Sequence, residues 1–309
     1  MAAVFFQTLP FFALIGLGYG AGRRGFFGPE ATAALTKFVF YFALSAMLFR
    51  FAVELDLGDL FNWPFVWAYL CATGAVFLIG LVVALLRGCR LEEAAIEGQC
   101  SAIGNTGFLG VPLLALLLGP AAIGPVMFVL AIDMIVFGSL IVILITARRD
   151  GRLRPAIVGA VFGGLIRNPM IVSISLGLAW SAAGIGLSGP MLTFLDVLGS
   201  AATPGALFAI GASLAGKSAE RLSVALWLSF GKLVLHPAAV AIAALLVFAV
   251  PRDQALVMIA AAALPVAGNI YIIAAHYNVA PQRVSTAILV STALSLLTVT
   301  WVLTQIAGA

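Results

Sequence analysis

Ten apolar stretches, each about 20 residues and so long enough to cross a bilayer as a helix, follow one another along this chain with only short clusters of charge, glycine and proline between them. They fall at 4–22, 31–53, 61–86, 94–118 and 121–147, then at 156–182, 189–215, 220–249, 253–277 and 282–306. Continuous runs exclude a transmembrane barrel, whose strands alternate over about ten residues. Composition agrees, with 63% of residues hydrophobic and 9% charged, against about 25% charged in a soluble domain. The fold class that follows is an all-α integral membrane protein with ten transmembrane helices. The spans take up nearly all of the 309 residues, which argues against a separate soluble domain.

Two stretches are interrupted in matching positions of the two halves. One reads Gly104-Asn105-Thr106-Gly107-Phe108-Leu109-Gly110-Val111-Pro112, the other Ala263-Leu264-Pro265-Val266-Ala267-Gly268-Asn269-Ile270-Tyr271. A break in lipid leaves backbone groups unpaired, so it survives only inside protein or beside a water-filled cavity. Paired breaks are the sequence signature of a transporter's binding site. A shift of 159 residues superposes the two, and also pairs Pro10 with Pro169, Gly18 with Gly177, Ala43 with Ala202, Phe49 with Phe208 and Ala102 with Ala261. Each half holds an odd number of spans, so the second enters the membrane from the opposite side. The expected architecture is a five-plus-five inverted repeat, residues 1–147 and 156–309, with broken helices 4 and 9 meeting near the midplane. Under this shift Asn105 falls on Leu264 and Asn269 on Gly110, so the site should be asymmetric.

Loop charge gives the orientation. The odd-numbered loops carry Arg23, Arg24, Arg87, Arg90, Arg148, Arg149, Arg152, Arg154, Lys217, Arg221 and Arg283. The even-numbered loops carry only Arg50 and Arg252, with acidic Glu54, Asp56, Asp59 and Asp253. By the positive-inside rule the odd loops face the cytoplasm and both termini face outward. The first stretch is not a signal peptide, because its charges follow the apolar run. A pI near 9.2 reflects these loops rather than nucleic-acid binding. Cys71, Cys89 and Cys100 have no metal or redox spacing, and two histidines in total argue against a metal site or cofactor.

Crossing half-helices bring N-terminal dipole ends, which suit anions, and C-terminal ends with unwound carbonyls, which suit cations. Asn105 and Asn269 can donate and accept hydrogen bonds without charge. They are the leading substrate or crossover contacts, the plainer alternative being that they satisfy broken backbone. Thr106 is a weaker candidate because a hydroxyl often bonds its own helix. Gly104 and Gly268 would permit close backbone approach, and Pro112 and Pro265 would open the helices. Tyr271 and Phe108 could stack on a ring or simply pack. Lys37, Asp133, Arg167 and Lys232 are charges inside spans, each needing a reason. Lys37 and Arg167 lie near span ends and can snorkel. Asp133 is either a proton or cation site or the partner of a buried base. Lys232 and His236, four residues apart, share a helix face; they could attract an anion and move a proton, or Lys232 could pair with Asp133. Gly16-x-x-x-Gly20 and Gly159-x-x-x-Gly163 suggest tight helix packing.

The chain resembles the auxin efflux carrier family, a branch of the bile acid/sodium symporter-like superfamily. The resemblance rests on Gly104 to Pro112 with Leu113, Arg167-Asn168-Pro169, Thr203 to Gly211 with Leu214, Lys232 to Pro237, Leu264 to Asn269 and the tail Ala287 to Ser295. It implies a scaffold and a transport domain drawn from both repeats, crossed helices 4 and 9, and elevator-like alternating access. Bacterial relatives carry malonate, malate and similar carboxylates, and plant relatives export auxin. One departure is Ser45, where the family often has proline, which questions a kink in span 2. The implied activity is secondary transport of a small organic anion across the cytoplasmic membrane. No P-loop is visible, so gradients should drive it, with proton coupling or uniport favoured over sodium. A homodimer is compatible with this reading. Export of an aromatic acid is the alternative, and a ligand-binding sensor is a more distant one. An embedded enzyme is disfavoured, since no nucleophile or metal set sits at a break.

Overall fold

The computed structural model describes residues 2–54, 62–150, 155–216 and 221–307, and these are helical apart from turns, short connections and one isolated bridge. Arg152, Arg154, Lys217, Asp56 and Asp59, used above for orientation, lie outside the described residues. Among the described residues six helices are individually long and apolar enough to cross a membrane. They are α2 (Pro29–Val53), α3 (Trp63–Leu86), α6 (Pro120–Thr146), α9 (Gly189–Ala215), α10 (Leu222–Val247) and α13, which runs over Pro281–Ala307. The first stretch forms α1 (Ala2–Arg23), with Pro10 inside it. The sixth is a pair, α7 (Pro155–Arg167) and α8 (Pro169–Ala182), bent by 69°. The cause is local. Pro169 disfavours helical geometry at Asn168, and the Asn168 side chain caps α8 by accepting from the Met170 N–H at 3.0 Å.

The interrupted stretches are each two helices. The first gives α4 (Leu91–Ala102) and α5 (Thr106–Leu118), the second α11 (Arg252–Ala262) and α12 (Asn269–His276). Helix α1 packs along α9, and α8 along α2. Their contacts match across the sequence shift. A Cβ on Gly18 would lie 2.1 Å from the Phe208 carbonyl oxygen, and one on Gly177 would lie 2.8 Å from that of Phe49. Only glycine permits backbones so close. By contrast Gly16, Gly20, Gly159 and Gly163 have open space beside them, so the four-residue glycine spacings do not mark the tight contacts. A second group forms where α3 packs on α4, α10 on α3, α11 and α13, and α6 on α11.

Five helical stretches widen into π-helical turns: Val39–Ala43, Thr106–Gly110, Asp133–Phe137, Gly231–Leu235 and Ala243–Val247. Span 2 therefore is irregular without proline, and the Ser45 hydroxyl donates to the Phe40 carbonyl at 3.1 Å within it. At one end of the second group Glu97, buried on α4, accepts from Arg87 and from Arg283 (2.6 Å for the latter), tying α3, α4 and α13 together. Glu97 is a buried charge within a predicted span that the sequence analysis did not single out.

Candidate functional site

The two breaks meet as a minimal antiparallel bridge between Gly104 and Val266. The Asn105 N–H donates to the Pro265 carbonyl at 2.8 Å, and the Ala267 N–H to the Ile103 carbonyl at 3.1 Å. Glycine and proline end the helices, and the freed backbone groups find each other. Several other freed backbone N–H groups also find partners. Leu109 and Gly110 N–H groups both donate to the Asn105 carbonyl (3.1 and 2.9 Å), closing the π-helical turn before Pro112, which has no N–H to give. The Val266 N–H donates to Ser291 Oγ on α13 at 3.1 Å.

Beside this bridge is a cavity of about 30 Å³. Its wall includes Gly104, Asn105, Phe108, Asp133, Gly268 and Asn269, with Phe40, Leu130, Met134 and Met170. Asn105 lies just before α5 and Asn269 at the start of α12, yet neither side chain caps its helix. The Asn269 Oδ1 is buried with no hydrogen-bond partner. The first N–H groups of a helix have no partner within it and carry its positive dipole end. Two such ends and two uncommitted amides therefore converge, an arrangement that favours an anion. At about 30 Å³ the space has room for little more than a water molecule, whereas ligand pockets commonly measure about 300–1,000 Å³. The structure shows the site closed. A larger concavity of about 1110 Å³, among α10, α11 and α13, includes none of the residues at the breaks.

Asp133 opens a π-helical turn of α6 and faces this cavity. Its Oδ1 accepts from Tyr69 Oη at 2.8 Å and its Oδ2 from Thr106 Oγ1 at 3.5 Å, the second contact being weak. One helical turn along α3, Thr73 Oγ1 lies 3.0 Å from His236 Nε2, and His236 Nδ1 lies 3.0 Å from Lys232 Nζ. Lys232 also donates to the Ala262 carbonyl at the end of α11. All six side chains, those of Tyr69, Thr73, Thr106, Asp133, Lys232 and His236, are buried. Among the described residues the structure gives Lys232 and Asp133 no direct ion pair, so the structural pairing considered from sequence is not made.

Of the residues expected at the site, Gly104, Asn105, Asp133, Gly268 and Asn269 come together around the cavity. Thr106 bonds Asp133 from beneath, and Pro265 supplies a bridge carbonyl. Pro112, Tyr271, Lys232 and His236 do not line it. Sequence reasoning missed Tyr69 and Thr73. Their spacing was a usable signal, since polar groups four apart share one face of an otherwise apolar helix. Phe40, Met134 and Met170 carried no signal among so many apolar residues.

A family model described as membrane transport protein matches residues 3–303. The chain belongs to this family. The assignment agrees with the auxin efflux carrier motifs and makes the chain a multi-pass membrane protein of transmembrane transport. Over 306 residues it is 31% identical to a Rhizobium meliloti (strain 1021) protein named "Putative malonate transporter", covering 98% of this chain and 96% of the relative. It is also 26% identical over 227 residues to the "Lysosomal cholesterol signaling protein" of Mus musculus, covering 69% of this chain and 26% of that much longer protein.

Proposed function

We propose that the chain is a secondary transporter of a small organic anion, a dicarboxylate such as malonate or malate. One observation carries this reading: two half-helix N-termini and the uncommitted amides of Asn105 and Asn269 converge on a single cavity at paired helix breaks. The name of the Rhizobium meliloti relative supports the substrate class. Transport would run across the cytoplasmic membrane, with both termini outside, through a five-plus-five inverted repeat of ten spans. The matched glycine contacts of Gly18 on Phe208 and Gly177 on Phe49 support that repeat. In the elevator reading, α1, α2, α8 and α9 form the scaffold, and the helices around the breaks carry the substrate past it. Such a movement would open the closed cavity. Asp133 beside an anion site favours proton coupling, because a protonated carboxyl removes repulsion from the arriving carboxylate.

The test is uptake of labelled malonate into proteoliposomes with and without imposed gradients. Saturable flux supports the reading, and no flux of any carboxylate would sink it. A second reading, efflux of an aromatic acid, is favoured by Phe40 and Phe108, whose stacked rings (centroids 6.3 Å apart) line the same cavity. Competition between indole acetate and malonate separates the two. Ligand binding without flux would instead indicate a sensor.

A further inference from the structure

Lys232 is completely buried, and none of the ion pairs among the described residues involves its ammonium. Burial of an unpaired ammonium carries a penalty of several kcal/mol, so its surroundings must compensate. They do so with backbone, and with the Asp133 carboxylate acting at longer range than an ion pair. Ala262, whose carbonyl accepts from Nζ, is the last residue of α11. The last four carbonyls of a helix lack intrahelical partners and form its negative dipole end. The same ammonium abuts the other break. A Cβ on Gly104 would stand 3.1 Å from Nζ and 3.4 Å from the Ala261 carbonyl oxygen, so these groups crowd one point.

His236 completes the surroundings. An ammonium can only donate, so a bond from it to Nδ1 requires the ring proton on Nε2, which lies 3.0 Å from Thr73 Oγ1. The other ionisable groups nearby, Asp133 on α6 and Tyr69 on α3, are bonded to each other. Helix C-termini and unwound carbonyls at crossed breaks are where transporters coordinate a coupling cation. Here that position holds a side chain of the protein itself, and Lys232 is not part of the cavity wall where an anion would sit.

We propose that the Lys232 ammonium is a tethered cation filling the coupling-cation site of this crossing, so that the protein works without sodium. The proposal deepens the transporter reading and rests on it for the word coupling, but the occupancy of the site can be read without flux. The purified full-length chain is melted in sodium, lithium or choline chloride at constant ionic strength, as wild type, Lys232→Ala and Lys232→Arg. Wild type and Lys232→Arg should melt alike in all three salts, whereas Lys232→Ala should gain a saturable stabilisation by sodium or by methylammonium. In proteoliposomes wild-type malonate flux should be unchanged when choline replaces sodium. Lys232→Ala flux should fall about tenfold in choline, the worth of one charge-assisted hydrogen bond, and recover with either cation. Sodium-dependent melting or flux of the wild type would overturn the proposal, and it needs no variant to fold. So would a folded Lys232→Ala that neither cation stabilises. Absence of carboxylate flux alongside cation-dependent melting of Lys232→Ala would remove the transporter reading and keep the tethered cation.

Discussion

The two breaks face the same problem, a helix interrupted inside an apolar protein, and solve it differently. The first closes on itself: the Asn105 carbonyl takes the Leu109 and Gly110 N–H groups through a widened turn. The second borrows from elsewhere, with Ser291 of α13 taking the Val266 N–H and Lys232 of α10 bonding the Ala262 carbonyl. The two breaks therefore match in position along the chain but not in chemistry. The second break is mechanically tied to two other helices, so whatever moves it moves them.

Four measurements would break or sharpen that contrast. The largest effect is expected from Asn105→Ala and Asn269→Ala. Each should weaken malonate binding by about 10- to 100-fold, the value of one or two hydrogen bonds to a charged group, as titrated by ligand-dependent melting. If neither does, the cavity is not the substrate site. Next, Ser291→Ala leaves the Val266 N–H buried without its partner and should lower stability by about 1–2 kcal/mol. Its melting temperature without ligand is the readout; an unchanged value would mean the second break does not depend on α13.

Glycine substitutions test the same difference sterically. A Cβ on Gly110 would fall 2.5 Å from Leu264 Cδ1, whereas nothing lies within 4 Å of one on Gly268. Gly110→Ala should destabilise by about 1 kcal/mol as Leu264 is displaced, and Gly268→Ala should remain within about 0.5 kcal/mol of the wild type. Equal melting temperatures would contradict the tighter packing of the first break. The smallest change is expected from Thr106→Val, which removes a long contact to Asp133 and should cost about 0.5 kcal/mol. A much larger loss would mean that Thr106 is the chief partner of Asp133, displacing Tyr69.

Much of this was legible along the chain. The breaks at Gly104–Pro112 and Ala263–Tyr271 stand out because glycine, proline and asparagine cluster there, and together they disfavour helix. Asn105 and Asn269 stand out because each is an amide at such a break. The offset of 159 residues paired Gly18 with Gly177 and Phe49 with Phe208, but it did not say that each glycine would meet the other half's phenylalanine. The four-residue glycine spacings misled, since spacing along one helix says nothing about what lies opposite. Tyr69 and Thr73 were overlooked because a hydroxyl or phenol lowers hydropathy only slightly, and their role depends on reaching Asp133 and His236 from another helix.

The π-helical turns were the least legible feature. Phe40, Thr106, Asp133 and Lys232 each lie in one. A widened turn shifts the register of every later side chain, yet it is set by what packs around it and leaves no reliable mark in sequence.

Sequence alone determined that the chain is a helical membrane protein, that two of its helices break, and which amides stand at the breaks. These follow from hydropathy and backbone chemistry, which act locally. Only the tertiary structure decided which backbone groups pair across the breaks, that Asp133 faces the cavity while Lys232 rests against the Gly104 position and the Ala262 carbonyl, and that the two charges do not pair directly. Those outcomes depend on which polar group finds which partner across helices, and partners 25 to 186 residues apart are chosen by packing rather than by neighbours in the chain.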